Sequence, residues 1–268
     1  MKVGAPPQSS YSPLWRVADI LRSEFCKLRS VRSTYWTLFA AVAANVVLAA
    51  LLAIFLPGQL SGHEKATVDA VRVSLGGLHL SQIAFGVLGV LVITSEYDTG
   101  MIRATLSAVP QRRLLLAVKT LVFAVTALII GTIASFAAYF VFEASLSGAG
   151  MRTSLGDPGV PRAVTGGGLY LTVLGLFGLG LGAIIRSSAG AIAALFGVLF
   201  VPQLIVTLLP HTWQDTIGPY LPMEAGGAIF TVHQDTGSFG AWSEFGVFCL
   251  YAVVALLAGF VLINRRDA

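Results

Sequence analysis

YWTLFAAVAANVVLAALLAIFL, Tyr35 to Leu56, runs for 22 residues without a charge. Its apolar residues follow one another instead of alternating, so it reads as a helix and not as a strand of a barrel wall. A helix of about 20 apolar residues crosses the hydrocarbon core of a bilayer and satisfies its own backbone polar groups there. Five more runs of this kind follow: Val73 to Thr94, Leu114 to Phe142, Val164 to Ile185, Ala189 to Leu209 and Glu244 to Ile263. The Leu114 run is long enough to tilt or to project beyond the bilayer. Across the 268 residues 56% are apolar and 11% charged, where a soluble domain carries about a quarter charged. The expected fold class is all-α: a polytopic membrane protein of six transmembrane helices in one domain over residues 1–268, with little chain left for a soluble catalytic domain.

An even number of spans puts both ends on one side, together with the loops at residues 95–113 and 186–188. That side holds thirteen of the 17 Lys and Arg residues, and the other has Lys65, Arg72, Arg152 and Arg162. Positively charged loops stay inside, so both termini are expected in the cytoplasm, with the chain in the cell's inner (plasma) membrane. Tyr35, Trp36, Tyr170, Trp213 and Trp242 fall near predicted span ends, as an aromatic belt requires. The opening MKVGAPPQSSYSP has no apolar core and does not read as a cleavable signal peptide. Cys26 and Cys249 suggest neither a disulfide framework nor a metal cluster.

Residues 14–33 predict an amphipathic entry helix. Leu14, Val17, Ala18, Leu21, Phe25 and Leu28 recur at spacings of three and four, with Arg16, Asp19, Arg22, Lys27 and Arg29 largely elsewhere around it. Such a helix lies along the membrane surface. Arg22, Lys27 and Arg29 are its candidate contacts, either to anionic lipid, at about 1 kcal/mol per basic side chain, or to a cytoplasmic partner. Between the fifth and sixth runs, PYLPMEAGGAIF is too short and too broken by proline and glycine to cross, and predicts short interfacial or re-entrant helices on the outer side.

The chain carries no engine of its own. No G-x-x-x-x-G-K-[ST] occurs, since none of Lys2, Lys27, Lys65 and Lys119 follows the required glycine, and no H-E-x-x-H or G-x-S-x-G is present. No catalytic residue, metal ligand or cofactor is assigned to the chain, which is not expected to be an enzyme or to bind nucleic acid. The middles of the spans are nearly free of charge; their deep polar residues are the neutral Asn45, Gln82 and Gln203. These either bond helix to helix or line a pathway. Gly175, Gly178, Gly182 and Ala183 form a small-residue face on the fourth span, suited to packing within the subunit or to a seam between subunits.

Between the second and third runs lies EYDTGMIRATLSAVPQRR, Glu96 to Arg113. Asp98, Thr99 and Gly100 predict a turn, residues 101–109 a short amphipathic helix, and Pro110 its stop before Arg112 and Arg113. The product is a compact elbow on the cytoplasmic side.

Glu96, Gly100, Leu106, Pro110 and Arg112 in this order, preceded by SEFCKLRSVRSTYWTLFA (Ser23 to Ala40), resemble the coupling segment and entry helix of the ATP-binding-cassette (ABC) type 2 transporter permeases. The resemblance extends over the whole chain, with six spans, a tight turn after the fourth at Arg186 to Ser188 and short outward helices before the sixth. It implies a permease subunit of an exporter, paired with a second permease subunit (homo- or heterodimer) and driven by two copies of a separate cytoplasmic ABC ATPase that carries the ATP and Mg. Ile102, Leu106 and Val109 would then enter a groove of the ATPase, Arg103, Arg112 and Arg113 would face its acidic rim or lipid phosphate, and Glu96 would brace the elbow against a basic residue of the entry helix. Membrane lipids surround the assembly, and the apolar spans favour a hydrophobic or amphipathic cargo. The alternative is a channel or ion-coupled carrier that works without an ATPase.

Overall fold

The computed structural model describes residues 13–30, 32–61, 63, 68–108, 111–146, 151–232 and 239–265. Among them every regular element is helical. The amphipathic helix α1 (Pro13–Ser30) is followed by α2 (Arg32–Phe55), the short α3 (Ala70–Ser74), α4 (Leu78–Asp98), α5 (Met101–Ala108) and the long α6 (Arg112–Ser145). Then come α7 (Val160–Ile185), α8 (Ser188–Thr207), the short α9 (His211–Ile217) and α10 (Pro222–Gly227), and α11 (Ala241–Arg265). Six helices, α2, α4, α6, α7, α8 and α11, are long and apolar enough to cross a membrane. The chain is an all-α, multi-pass membrane protein.

The second span starts later than its apolar run predicts. Val73 belongs to α3, which Asp69 caps by accepting the Arg72 N–H at 2.9 Å. The chain then breaks at Gly76 and Gly77, and α4 runs from Leu78 to Asp98. Gly77 presses on α2: a Cβ there would lie 2.5 Å from Asn45 Cα. Tight packing, not hydropathy, sets this boundary. The entry helix is described over Pro13–Ser30.

At the centre stands α7, the most buried span, against α4, α6 and α11, while α2 and α8 are the least buried. Apolar burial alone gives little drive between helices already in lipid, so close backbone approach matters. A Cβ on Gly89 of α4 would overlap the Gly175 carbonyl of α7, and one on Gly178 would sit 2.5 Å from Gly86 O. The glycine face of α7 is therefore a seam inside the subunit.

Four of the five predicted belt aromatics are exposed: Tyr35, Trp36, Trp213 and Trp242. Tyr170 is not. Because α7 begins at Val160, four residues before its predicted start, Tyr170 lies well inside the helix and is fully buried. Its ring meets Phe230 at 5.3 Å and Phe248 at 5.5 Å between centroids, and its hydroxyl donates to Gln82 Oε1.

The segment before the last span folds back onto the bundle. Ala225, Ile229 and Phe230 are buried against α7 and α11, closing the end opposite the elbow. Asp69 Oδ2 accepts the Val232 N–H at 2.6 Å, and Arg162 Nη2 donates to Thr231 O at 2.8 Å.

Candidate functional site

At the other end of the bundle, α4 turns into the elbow. The Thr99 N–H donates to Ser95 O and the Gly100 N–H to Tyr97 O, both at 3.1 Å, and Gly100 takes φ +70°. No atom lies within 4 Å of where its Cβ would be, so backbone conformation and not space favours glycine there. The chain leaves as α5. Ile102 is buried within the subunit at 4% exposure and holds α5 to the body, whereas the neighbouring Met101 is 51% exposed. Val109 and Pro110, and the side chains of Arg103, Leu106 and Arg29, lie outside the described residues.

Behind the elbow four charges meet. Lys119 Nζ of α6 donates to Glu24 Oε2 of α1 and to Glu96 Oε1 of α4, each at 2.6 Å. Lys27 Nζ of α1 donates to Glu24 Oε1 at 2.8 Å and to Glu96 Oε1 at 3.0 Å. Glu24, Glu96 and Lys119 are all at or below 5% exposure, while the Lys27 side chain is 40% exposed. Two carboxylates and two ammonium groups balance, which is how charges survive burial; removing one partner from such a set typically costs about 3–5 kcal/mol. Burial pulls the Lys27 ammonium down, but hydrogen bonds and attraction from Glu24 and Glu96 outweigh it, holding its pKa above the ordinary lysine value of 10.5.

Glu24 was not among the expected site residues. The apolar stripe of the entry helix, which includes Leu21 and Phe25, suggested only a helix lying along the membrane surface. The line that faces the bundle passes through Ile20 and Leu21, packed with Val118 and Val122, and through Glu24, with Phe25 left 52% exposed. A carboxylate with two cations to meet outweighs the apolar preference of that face. The available signal was the Glu24–Lys27 spacing of three, together with a lysine just inside the third span. Of the other expected entry-helix contacts, Arg22 is exposed.

The basic residues after the elbow also turn inward. Arg112 Nη1 donates to Ile263 O at 3.2 Å and Arg186 Nη2 to Leu262 O at 3.4 Å, so two cations meet the C-terminal carbonyls of α11, the negative end of its dipole. Arg186, at φ +60°, also stacks over Tyr97 at 5.2 Å, and Ser188 donates to Asp98. Arg113 is exposed. The elbow is thus tied to α1, α6, α11 and the α7–α8 turn.

The neutral polar residues do not converge. Asn45 Nδ2 donates to Ala134 O at 3.2 Å between α2 and α6, Gln82 accepts from Tyr170 between α4 and α7, and Gln203 Nε2 donates to Glu224 Oε1 at 2.9 Å. Each joins a different pair of elements.

No family model matches the chain, and no characterised protein matches it in sequence. The elbow is a short helix that follows a turn at Gly100, with the preceding Glu96 fastened through buried ion pairs to the entry helix and α6.

Proposed function

We propose that the chain is the permease subunit of an ABC exporter, forming its pathway as a dimer and moved by ATP hydrolysis on a separate cytoplasmic ATPase. The observation that carries this reading is the elbow: α5 leaves the bundle at Gly100 while Glu96, one turn earlier, is locked to the entry helix and α6. A push on α5 reaches α1, α4 and α6 together through these bonds, as a switching transition between packed states requires. The excess of basic residues on this side supports a cytoplasmic elbow and cytoplasmic termini.

Two refinements follow from side-chain positions. Met101 and Arg113 are the outward apolar and basic contacts for the ATPase among the described side chains, whereas Ile102 and Arg112 serve the subunit's own packing. Cargo is hydrophobic or amphipathic, because the described span interiors hold few polar groups and these join helix to helix.

An ion-coupled carrier is the second reading, favoured by the buried ionisable set Glu24, Glu96 and Lys119, since charges within membrane segments often serve proton or ion movement. Their place at the span ends and their mutual neutralisation fit a brace better. Purification from native membranes in mild detergent separates the readings. The first expects a retained ATPase whose hydrolysis depends on this chain. The second expects ion-driven flux from liposomes holding this chain alone.

A further inference from the structure

At the end opposite the elbow one carboxylate stands without a cation. Glu224 of α10 is exposed, and its Oε1 accepts Gln203 Nε2 of α8 at 2.9 Å. Among the described residues no Lys or Arg pairs with it, and Oε2 accepts no hydrogen bond. The other described glutamates have such partners: lysines for Glu24 and Glu96, the N–H and hydroxyl of Thr153 for Glu143, and the Phe239 N–H for Glu244. Gln203 commits its donor to Glu224 while its own Oε1 is buried with no partner, so the amide holds the carboxylate in place without neutralising it. Gln203 also fixes the depth of the group. The 20 residues of α8 make about 30 Å of helix, the thickness of the hydrocarbon core. Gln203 lies four residues, about 6 Å, before the last of them, Thr207. The carboxylate bonded to it therefore stands inside the hydrocarbon, where an ionisable group marks a site by default. The Glu224 carboxylate is close enough to act on the imidazole of His79, itself exposed at the start of α4. The exposed side chains next along these two spans are apolar: Leu204 and Ile205 on α8, Leu80 and Ile83 on α4.

We propose that Glu224 anchors a binding site for a lipophilic organic cation, a single positive charge on an apolar body, whose charge meets the carboxylate while the body stays in the hydrocarbon beside α4 and α8. An inorganic divalent ion does not fit. Ca²⁺ takes about six to eight oxygen ligands and Mg²⁺ an octahedral set, and the described residues hold no group of three or more His, Cys, Asp or Glu side chains. An organic cation needs no such cage, because its own apolar body replaces the hydration shell, and one carboxylate in a medium of low dielectric selects its sign. An organic anion of the same shape is repelled, and a neutral body gains nothing from the charge. The site goes beyond the ATPase reading and does not rest on it: it uses only the resting positions of α4, α8 and α10.

The test is equilibrium binding of tetraphenylphosphonium to the full chain in detergent without nucleotide, with tetraphenylborate, the same shape and the opposite charge, as the comparison. The wild type is expected to bind tetraphenylphosphonium saturably and roughly tenfold more tightly than Glu224→Gln does, the low end for a close charge pair. Tetraphenylborate is expected to bind the wild type no better than the variant. Glutamine keeps an acceptor for Gln203 Nε2, so Glu224→Gln is expected to melt as the wild type does. Equal tetraphenylphosphonium affinity in the two chains, or a loss of tetraphenylborate binding in the same proportion, overturns the proposal. If Glu224→Gln does not accumulate, labelling of the wild-type chain with dicyclohexylcarbodiimide, read by mass spectrometry, decides instead. Tetraphenylphosphonium is then expected to protect Glu224 and tetraphenylborate to leave it reactive, and labelling that tetraphenylphosphonium does not change overturns the proposal.

Discussion

Lys119 carries most of the electrostatic weight, since it is the buried cation that both Glu24 and Glu96 share. Lys119→Met leaves two carboxylates facing each other with only the half-exposed Lys27 between them, and is expected to lower stability by about 3–5 kcal/mol. Thermal unfolding in detergent reads this, and the triple variant Glu24→Gln, Glu96→Gln, Lys119→Met is expected to recover most of the loss, because an apolar or neutral set of similar volume no longer buries unpaired charge. A triple variant as unstable as the single one would show that the ion pairs are not the source. Lys27 adds a pH dependence. Its folded pKa lies above 10.5, so it binds its proton more tightly folded than unfolded, and its contribution is complete below pH 10.5 and lost as pH rises through the folded value. Melting temperatures above pH 10.5 are expected to fall more steeply for the wild type than for Lys27→Met.

At the scale of elements, two glycines make separable predictions. Gly89→Ala forces a methyl into the Gly175 carbonyl across the α4–α7 seam, and is expected to destabilise by about 1–3 kcal/mol, as overpacking does. Gly197→Ala, with no atom within 4 Å of its Cβ position, is expected to be neutral or slightly stabilising by the same melting measurement. Gly100→Pro fails for a different reason, because a proline φ near −65° cannot reach +70°. Insertion and the span core are expected to persist while α5 loses its direction, read as proteolytic cleavage confined to the elbow. These elements show what the sequence discloses and what it withholds. Runs such as Tyr35 to Leu56 announce a span through length and apolarity alone, and the turn at Asp98 to Gly100 through its residue types. The start of α4 escapes because it depends on Gly77 fitting against Asn45, a contact between segments far apart in the chain. Tyr170 escapes because α7 extends four residues beyond its apolar run into VPRA. Glu24 escapes because a helical wheel gives the apolar face and not which face meets the bundle.

For the whole molecule, ion pairs join α1, α4 and α6 at one end, and the fold-back before α11 covers α7 and α11 at the other. The outer apolar faces of α2 and α8, with Leu51, Ile54, Leu204 and Ile205 exposed, are left for lipid or for a second copy. The central claim is that a separate ATPase pushes on the elbow. It is tested most directly by purifying the chain from its native membrane in mild detergent and measuring ATP hydrolysis in the preparation, wild type against Arg113→Glu combined with Met101→Glu, two exposed positions. The account predicts hydrolysis retained with the wild-type chain and lost with the variant, the melting temperature of the chain unchanged. A wild-type chain that carries no hydrolysis, or a variant that keeps it in full, would contradict it.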